Sequence, residues 1–282
     1  METFPTKISR EMAAEYGRQA VQIIESGVYT APSGRVVDIS GMLERSVRGT
    51  RGYPPAEPFP EFLRGSYPTR IEVVNETTLS AVRRLRSISS HPVALNFASA
   101  THPGGGFLGG ARAQEEYLAR SAGLYAYLRD HPMYEYHRSH PDALYSNHVI
   151  YSPEVPVFRS DDGPLLEEPC TVGIITSPAV NRNAIPPERH HEIAPAMWAR
   201  ILKVLSIGLA HGHDAIVLGA WGCGAFGNNG QQIAGLFHKA LTENFSGAYR
   251  NVVFAIVDWS PEKRFVGPFQ EAFEEKPVKS IN

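Results

Sequence analysis

Two adjacent carboxylates follow a triple glycine in the segment Gly104–Glu116, which reads GGGFLGGARAQEE. Glycine has no Cβ, so such a chain can approach a ligand closely and turn its N–H groups toward an anion. Glu115 and Glu116 stand where a helix is predicted to begin, and helical neighbours point in different directions. One can hold a sugar hydroxyl while the other transfers protons, as in glycosidic cleavage. The pattern predicts cleavage of a phosphorylated sugar, although acids also simply favour a helix N-terminus.

A second glycine loop, Gly219–Asn228 (GAWGCGAFGN), lies between a predicted strand and a predicted helix. Two strand–loop–helix units of this kind suggest a diphosphate held between two glycine loops. Phe226 could stack on a ribose or a base, or it could be a core aromatic that pins the loop.

Apolar strands alternate with helices along the chain, which is typical of a mainly parallel sheet covered on both faces. Ligands of such sheets bind beyond the carboxyl ends of the strands, where both glycine loops are predicted to lie. We expect one domain, with an N-terminal extension over residues 1–70 packed on an α/β core over 71–282. The predicted strands are 35–39, 71–75, 92–98, 171–177, 215–219 and 252–258, and the predicted helices are 8–26, 76–86, 113–129, 189–211 and 231–244.

Composition argues against several classes of protein. A formal net charge of −2 over 282 residues gives no basic field, so direct nucleic-acid binding is not expected. Cys170 and Cys223 are too few for a disulfide scaffold or a thiolate zinc cluster. The first residues are polar and no stretch reads as long and apolar enough to span a bilayer, so we expect a cytoplasmic monomer without a membrane partner. The closest histidine pairs, 190–191 and 211/213, lack metal-ligand spacing, so neither a metal nor a cofactor is expected.

Three segments resemble one known family. The triple glycine followed by Gln-Glu-Glu resembles the signature of poly(ADP-ribose) glycohydrolases. Residues 218–228 (LGAWGCGAFGN) resemble the second ligand loop of the bacterial-type members, and residues 18–40 resemble their N-terminal extension. The resemblance implies a macrodomain-like α/β/α sandwich, with a mixed, mainly parallel sheet and a helical N-terminal extension.

The resemblance also implies roles for individual residues. Glu116 would be the catalytic glutamate, and Glu115 would bind hydroxyls of the terminal ribose. Loop 222–227 would wrap the diphosphate, with Phe226 packed against the sugar. Adenine would lie near Ile256, near Asp258 and near residues 177–181. The implied ADP-ribose contacts are Asn96, Ser99, Gly104, Gly105, Gly106, Gln114, Gly222, Cys223, Gly224, Ala225, Phe226, Gly227 and Ile256.

The implied activity is hydrolysis of the ribose–ribose O-glycosidic bond of poly(ADP-ribose), mainly from chain ends, with release of ADP-ribose. The implied partners are the polymer and the ADP-ribosylated proteins that carry it. Two other functions stay open at this point. One is a non-catalytic module that reads ADP-ribose, and the other is a hydrolase that removes single ADP-ribose units from proteins.

Overall fold

The computed structural model describes residues 8–274 apart from 64, 89 and 162, and its central element within these residues is a mixed sheet of seven strands. The strands are β1 (Val28–Thr30), β2 (Val36–Asp38), β3 (Arg51–Tyr53), β4 (Arg70–Val74), β5 (Pro92–Ala98), β6 (Val149–Arg159), β7 (Leu165–Pro178), β8 (Ala215–Leu218) and β9 (Asn251–Ala255). The helices are α1 (Arg10–Ser26), α2 (Ser40–Gly49), α3 (Thr78–Ser87), α4 (Gln114–Ser121), α5 (Tyr125–Leu128), α6 (Pro132–Ser139), α7 (Ile193–Ala210), α8 (Gly230–Lys239) and α9 (Gly267–Phe273).

The strand order in the sheet is β3-β6-β7-β5-β8-β9-β4. Strands β7, β5, β8, β9 and β4 run parallel to one another, whereas β6 is antiparallel to both β3 and β7. The small hairpin of β1 and β2 lies outside this sheet. Strands β5 and β8 are adjacent, so the glycine loops that follow them lie side by side at one edge.

Both faces of the sheet are covered because its central strands are apolar on both sides. On β5, Val93 and Leu95 join the core formed with α7 and α8, while Ala94 joins the core formed with α3 and α4. These side chains are all fully buried, as expected for a parallel strand between two helical layers. The predicted α/β class with a mixed, mainly parallel sheet is confirmed.

Helix α1 packs on the first glycine loop and on α4. It ends at Gly27, whose φ is 71° and whose N–H donates to Ile23 O at 2.9 Å. A Cβ on Gly17 would lie 2.8 Å from Phe107 O, so the helix and the loop are in backbone contact. Phe107 is thereby buried beneath the loop. The division into an extension over 1–70 and a core over 71–282 stays a prediction.

The predicted helix over 113–129 is wrong, because the chain breaks between α4 and α5. Ala122 is extended and pairs with Val157, and Gly123 N–H donates to Pro156 O at 2.8 Å. This contact with β6 replaces the helical hydrogen bonds. The predicted strands do not include residues 149–159, where β6 contains Pro153 and Pro156 and has a register shift between Ser152 and Val155.

The helical segment 187–210 has the length and apolar composition of a membrane-spanning helix, so the expectation that no such stretch exists is wrong. Buried residues make up 61% of its most apolar window. Arg200 and Lys203 on α7 are buried, and they donate to Pro178 O at 3.1 Å and to Pro54 O at 2.6 Å. These contacts are those of a helix packed inside a folded domain.

Candidate active site

A cleft of about 510 Å³ opens at the carboxyl edge of the sheet. Its walls come from the loops after β8 and β9, from the N-termini of α3 and α4, and from the turn after β6. This is the edge at which parallel α/β sheets bind ligands. The predicted site residues that line it are Gln114, Gly222, Gly224, Ala225, Phe226 and Ile256.

The first glycine loop folds back over the two predicted acids. Gly104 and Gly105 have φ values of 71° and 61°, in the left-handed region that favours glycine. A Cβ on Gly105 would overlap Glu116 Oε1 and would lie 3.1 Å from Glu115 Oε2. Glycine at 105 is therefore required by the closeness of both carboxyl groups as well as by its dihedral angles.

Glu115 accepts hydrogen bonds from two residues at the carboxyl end of β5. Its Oε2 accepts from Ser99 N–H at 2.6 Å, and its Oε1 accepts from Asn96 Nδ2 at 3.4 Å. Only 3% of the residue is exposed. Burial raises the pKa of Glu115 to about 8, while the Ser99 hydrogen bond acts against that rise and the charge of Glu116 adds to it. The Glu115 carboxyl is therefore mainly protonated at neutral pH.

Of the two Glu116 carboxyl oxygens, one accepts a hydrogen bond within the described residues and the other does not. Its Oε1 accepts from Gly106 N–H at 3.0 Å, which orients the carboxyl group toward the glycine turn. Its Oε2 is buried and has no hydrogen-bond partner among the described residues. Buried polar atoms in proteins usually have a partner, and an exception calls for an explanation such as a catalytic role or an ordered water. Glu116 Oε2 is thus the carboxyl oxygen available for a proton transfer.

Three predicted ligand contacts lie against other protein groups. Asn96 is fully buried, and its amide donates to Glu115 and to Thr176 Oγ1. The Ser99 hydroxyl accepts from the backbone N–H groups of residues 101 and 102. Gln114 accepts from Phe97 N–H at 2.9 Å and donates to Leu95 O at 2.8 Å, which fastens α4 to β5. The Asn96 side chain and the Ser99 backbone hold Glu115, and Gln114 fixes the start of α4. Direct contact with a ligand stays a prediction for each of the three residues.

The second glycine loop presents open backbone to the cleft. Gly224 has no heavy atom within 4 Å of the place a Cβ would occupy. In contrast, a Cβ on Gly222 would lie 2.6 Å from Ala179 Cβ, so that glycine permits close packing within the protein. Phe226 is half-buried and lies 6.1 Å from Tyr145 between ring centroids.

Cys223 and Gly227 belong to this loop but do not line the cleft. Burial raises the pKa of the Cys223 thiol to about 12, so the thiol is not a nucleophile at neutral pH. Gly227 has a φ of 69° and packs against Asn183. A ligand contact by these two residues stays a prediction.

The end of the cleft beyond β9 is lined by apolar side chains. Ile256, a predicted ADP-ribose contact, lies there together with Trp259 and Phe265, which were not predicted as site residues. Both follow the last predicted strand, so their position along the chain was a usable signal. The Asp258 carboxylate accepts from Phe265 N–H at 2.6 Å and thereby holds the turn. Within residues 177–181, Ala179 alone lines the cleft.

Comparison with known proteins decides the family. The family model for the catalytic domain of microbial-type PARG, or poly(ADP-ribose) glycohydrolase, matches residues 17–160. Poly(ADP-ribose) glycohydrolase (PARG) from Thermomonospora curvata is 48% identical, with 93% of this chain and all of that chain covered and a TM-score of 0.89. The chain belongs to the microbial-type poly(ADP-ribose) glycohydrolase family. It is therefore a glycosidase, and the predicted family and enzyme class are confirmed.

Two further structures show what relatives of this glycohydrolase bind. The T. curvata enzyme with the inhibitor ADP-HPD is 48% identical, covers 93% of this chain and all of its own, and has a TM-score of 0.87. The Deinococcus radiodurans enzyme in complex with ADP-ribose is 41% identical, covers 82% of this chain and 97% of its own, and has a TM-score of 0.77. A comparison with curated proteins gave no match.

Histidines of this glycohydrolase serve structural contacts. His211 Nε2 lies 2.8 Å from Tyr53 Oη, and His213 Nε2 lies 2.9 Å from Tyr151 Oη. His190 Nε2 lies 3.1 Å from Ile185 O. Over the described part of the chain, no three His, Cys, Asp or Glu residues are grouped so that they could hold a metal ion.

Proposed function

We propose that this glycohydrolase cleaves the terminal ribose–ribose bond of poly(ADP-ribose) and that Glu116 is its general acid and base. The observation that carries the proposal is the unpartnered, buried Oε2 of Glu116 beside the left-handed turn at Gly104–Gly105. A proton on this oxygen can reach the leaving ribose hydroxyl, and the resulting carboxylate can then take a proton from water.

Glu115 has a different role in this proposal. Its two oxygens are fixed by Ser99 and Asn96, so the carboxyl cannot turn toward a departing oxygen without losing both contacts. We assign it to holding hydroxyl groups of the reacting ribose, as in the sequence interpretation. Its mainly protonated state at neutral pH removes one negative charge from the site, which favours binding of an anionic substrate.

The cleft, which is lined by Gln114 but not by Glu115 or Glu116, fits an ADP-ribose unit. Open backbone at Gly224 and Ala225 can approach the diphosphate, and Phe226 can pack against the ribose. The apolar end with Ile256 and Phe265 can take the adenine ring. The ADP-ribose and ADP-HPD complexes of the two relatives support this assignment.

The anomeric carbon gains positive charge when the bond breaks, because the transition state resembles an oxocarbenium ion. The diphosphate and the Glu116 carboxylate can offset that charge. Protons, carboxylates and backbone N–H groups suffice for this scheme, so neither a metal nor a cofactor is invoked. We also propose, from the sequence expectations, a monomer that acts in the cytoplasm on ADP-ribosylated proteins.

The test is a time course with purified poly(ADP-ribose) attached to a carrier protein, with products separated by length. Terminal cleavage predicts ADP-ribose as the main early product and a final protein-linked unit left in place. Long free oligomers at early times would contradict the chain-end assignment. Removal of label from a protein that carries single ADP-ribose units would instead favour hydrolysis of the protein linkage.

A further inference from the structure

The cleft continues past Gln114 into an arm between α1, α4 and the turn after β6. Thr77, Thr78 and Gln114 form the passage between the arm and the part of the cleft described above. Two tyrosine rings, Tyr16 from α1 and Tyr117 from α4, line the arm. Nothing in the proposed chemistry of one ADP-ribose unit uses this space.

Three guanidinium groups line the arm: those of Arg112, Arg120 and Arg159. Arg120 is 6% exposed and Arg159 is 2% exposed. None of the three forms an ion pair with a carboxylate within the described ranges. A buried cation without an anion is costly, so such a cluster is expected to have a reason.

The acids that line the same cleft belong to other cations. Asp161 is paired with Arg83 at 2.5 Å, and Glu76 is paired with Arg84 at 2.7 Å. Burial lowers the pKa of both Arg120 and Arg159 to about 10; the charge of Glu116 opposes this shift for Arg120 and Tyr16 opposes it for Arg159, whereas a neighbouring arginine lowers each pKa further. An anion in the arm would relieve this repulsion.

The guanidinium group of Arg159 forms more and shorter hydrogen bonds within the protein than that of Arg120 does. Arg159 donates to Arg120 O, Gly163 O and Gln19 Oε1 at 2.6–3.0 Å, and its guanidinium lies 4.3 Å from the Tyr16 ring. The side-chain hydrogen bond of Arg120 to Ala111 O is long, at 3.4 Å. Arg112 is exposed and donates to Ile8 O at 2.9 Å. N–H groups of Arg120 and Arg112 can therefore bind a ligand, whereas Arg159 is hydrogen-bonded to the protein around the arm.

Arg120 stands four residues after Glu116 on α4, one helical turn away. The arm therefore lies on the side of the proposed acid, where the leaving part of the polymer must be. We propose that Arg112 and Arg120 form an anion subsite that binds the diphosphate of the adjacent ADP-ribose unit on the leaving-group side. This inference rests on the proposed function of the cleft.

The test compares two substrates that differ in the adjacent unit. One is poly(ADP-ribose), and the other is ADP-ribose with 4-nitrophenol at the anomeric carbon, which has no second diphosphate. Arg112→Gln and Arg120→Gln should each raise KM for the polymer by about tenfold, as for the loss of a charge-assisted hydrogen bond. Neither variant should change kcat/KM for the nitrophenyl substrate more than twofold. The slope of log KM against log salt should also fall by about 0.7 per arginine removed.

Arg86→Gln is the matched control, because Arg86 also donates to a backbone carbonyl, that of Thr171, and does not line the cleft. Arg112 is exposed, so its variant keeps the test decisive if Arg120→Gln does not fold. Equal losses on both substrates would mean that the arginines act through Glu116, and this outcome would overturn the subsite. An unchanged KM for the polymer would overturn it as well.

Calorimetry with inorganic pyrophosphate, in the presence of saturating ADP-ribose, separates the subsite from the proposed function. Binding by wild type that is lost in Arg112→Gln supports the subsite even if the polymer is not cleaved. No pyrophosphate binding, or equal binding by both proteins, contradicts it. Pyrophosphate binding lost in the variant together with an unchanged polymer KM would assign the arm to a free phosphate compound, which would also refute the proposal.

Discussion

Replacing Glu115 with Gln should stabilise the protein at alkaline pH. The pKa of this carboxyl rises from 4.5 to about 8 in the folded state, mainly because it is buried. The folded state then holds a proton that the unfolded state releases, so the free energy of unfolding of wild type falls as pH rises from about 4.5 to about 8. The slope is about 1.4 kcal/mol per pH unit, and the total is about 5 kcal/mol. Gln has no such proton, so this loss disappears in the variant.

The assay is urea denaturation of wild type and Glu115→Gln at pH 6, 7, 8 and 9. The variant's free energy of unfolding minus that of wild type should grow by about 3 kcal/mol between pH 6 and pH 9, and it should level off above pH 8. Any constant change in packing or hydrogen bonding cancels in this comparison. Glu25→Gln on α1 is the control, since Glu25 is exposed, and its difference from wild type should stay within about 0.5 kcal/mol. A Glu115→Gln difference that stays constant from pH 6 to pH 9 would refute the reasoning.

Three other predictions follow from the site and the core. Gly224→Val should weaken ADP-ribose binding, measured by calorimetry, at least about tenfold. Its melting temperature should not change, because open space surrounds the new side chain. The control Gly235→Val should bind as wild type does, and an equal affinity of Gly224→Val would exclude a diphosphate contact. Burial lowers the pKa of His137 and His148 to about 4 and that of His213 to about 3, so stability should fall as pH drops from 6.5 toward 4, by about 1.4 kcal/mol per pH unit for each histidine. Denaturation of the Glu115→Gln variant between pH 7 and pH 5 measures this slope, and a flat profile would contradict it. Hydrolysis of the polymer should survive exhaustive dialysis against EDTA, whereas a loss restored by a divalent ion would point to a metal-dependent hydrolase.

Much of the site could be predicted from the sequence because its signals are local. The predicted strand 92–98 has the observed bounds of β5, since the mainly apolar run PVALNFA precedes the glycine loop. The two glycine loops were also recognised from neighbouring residues alone. Their meeting at one edge follows from the parallel pairing of β5 with β8.

Features that depend on distant contacts could not be predicted in this way. The break after α4 arises where Gly123 meets Pro156, more than 30 residues along the chain. The depth of a residue is also a tertiary property, so the sequence could not show that Asn96 is fully buried with its amide on Glu115. The sequence does place Arg120 one helical turn after Glu116. That Asp161 in the same cleft pairs with Arg83 can be seen only in the folded structure.

The central claim is that Glu116 transfers the proton in cleavage of the polymer. The most direct measurement is the rate of ADP-ribose release by Glu116→Gln, with calorimetric binding of ADP-ribose measured on the same protein. Gln keeps the shape and an acceptor for Gly106 N–H but cannot exchange a proton, so the rate should fall at least about 100-fold with affinity largely retained. A variant that binds ADP-ribose and keeps a tenth or more of the wild-type rate would contradict the account.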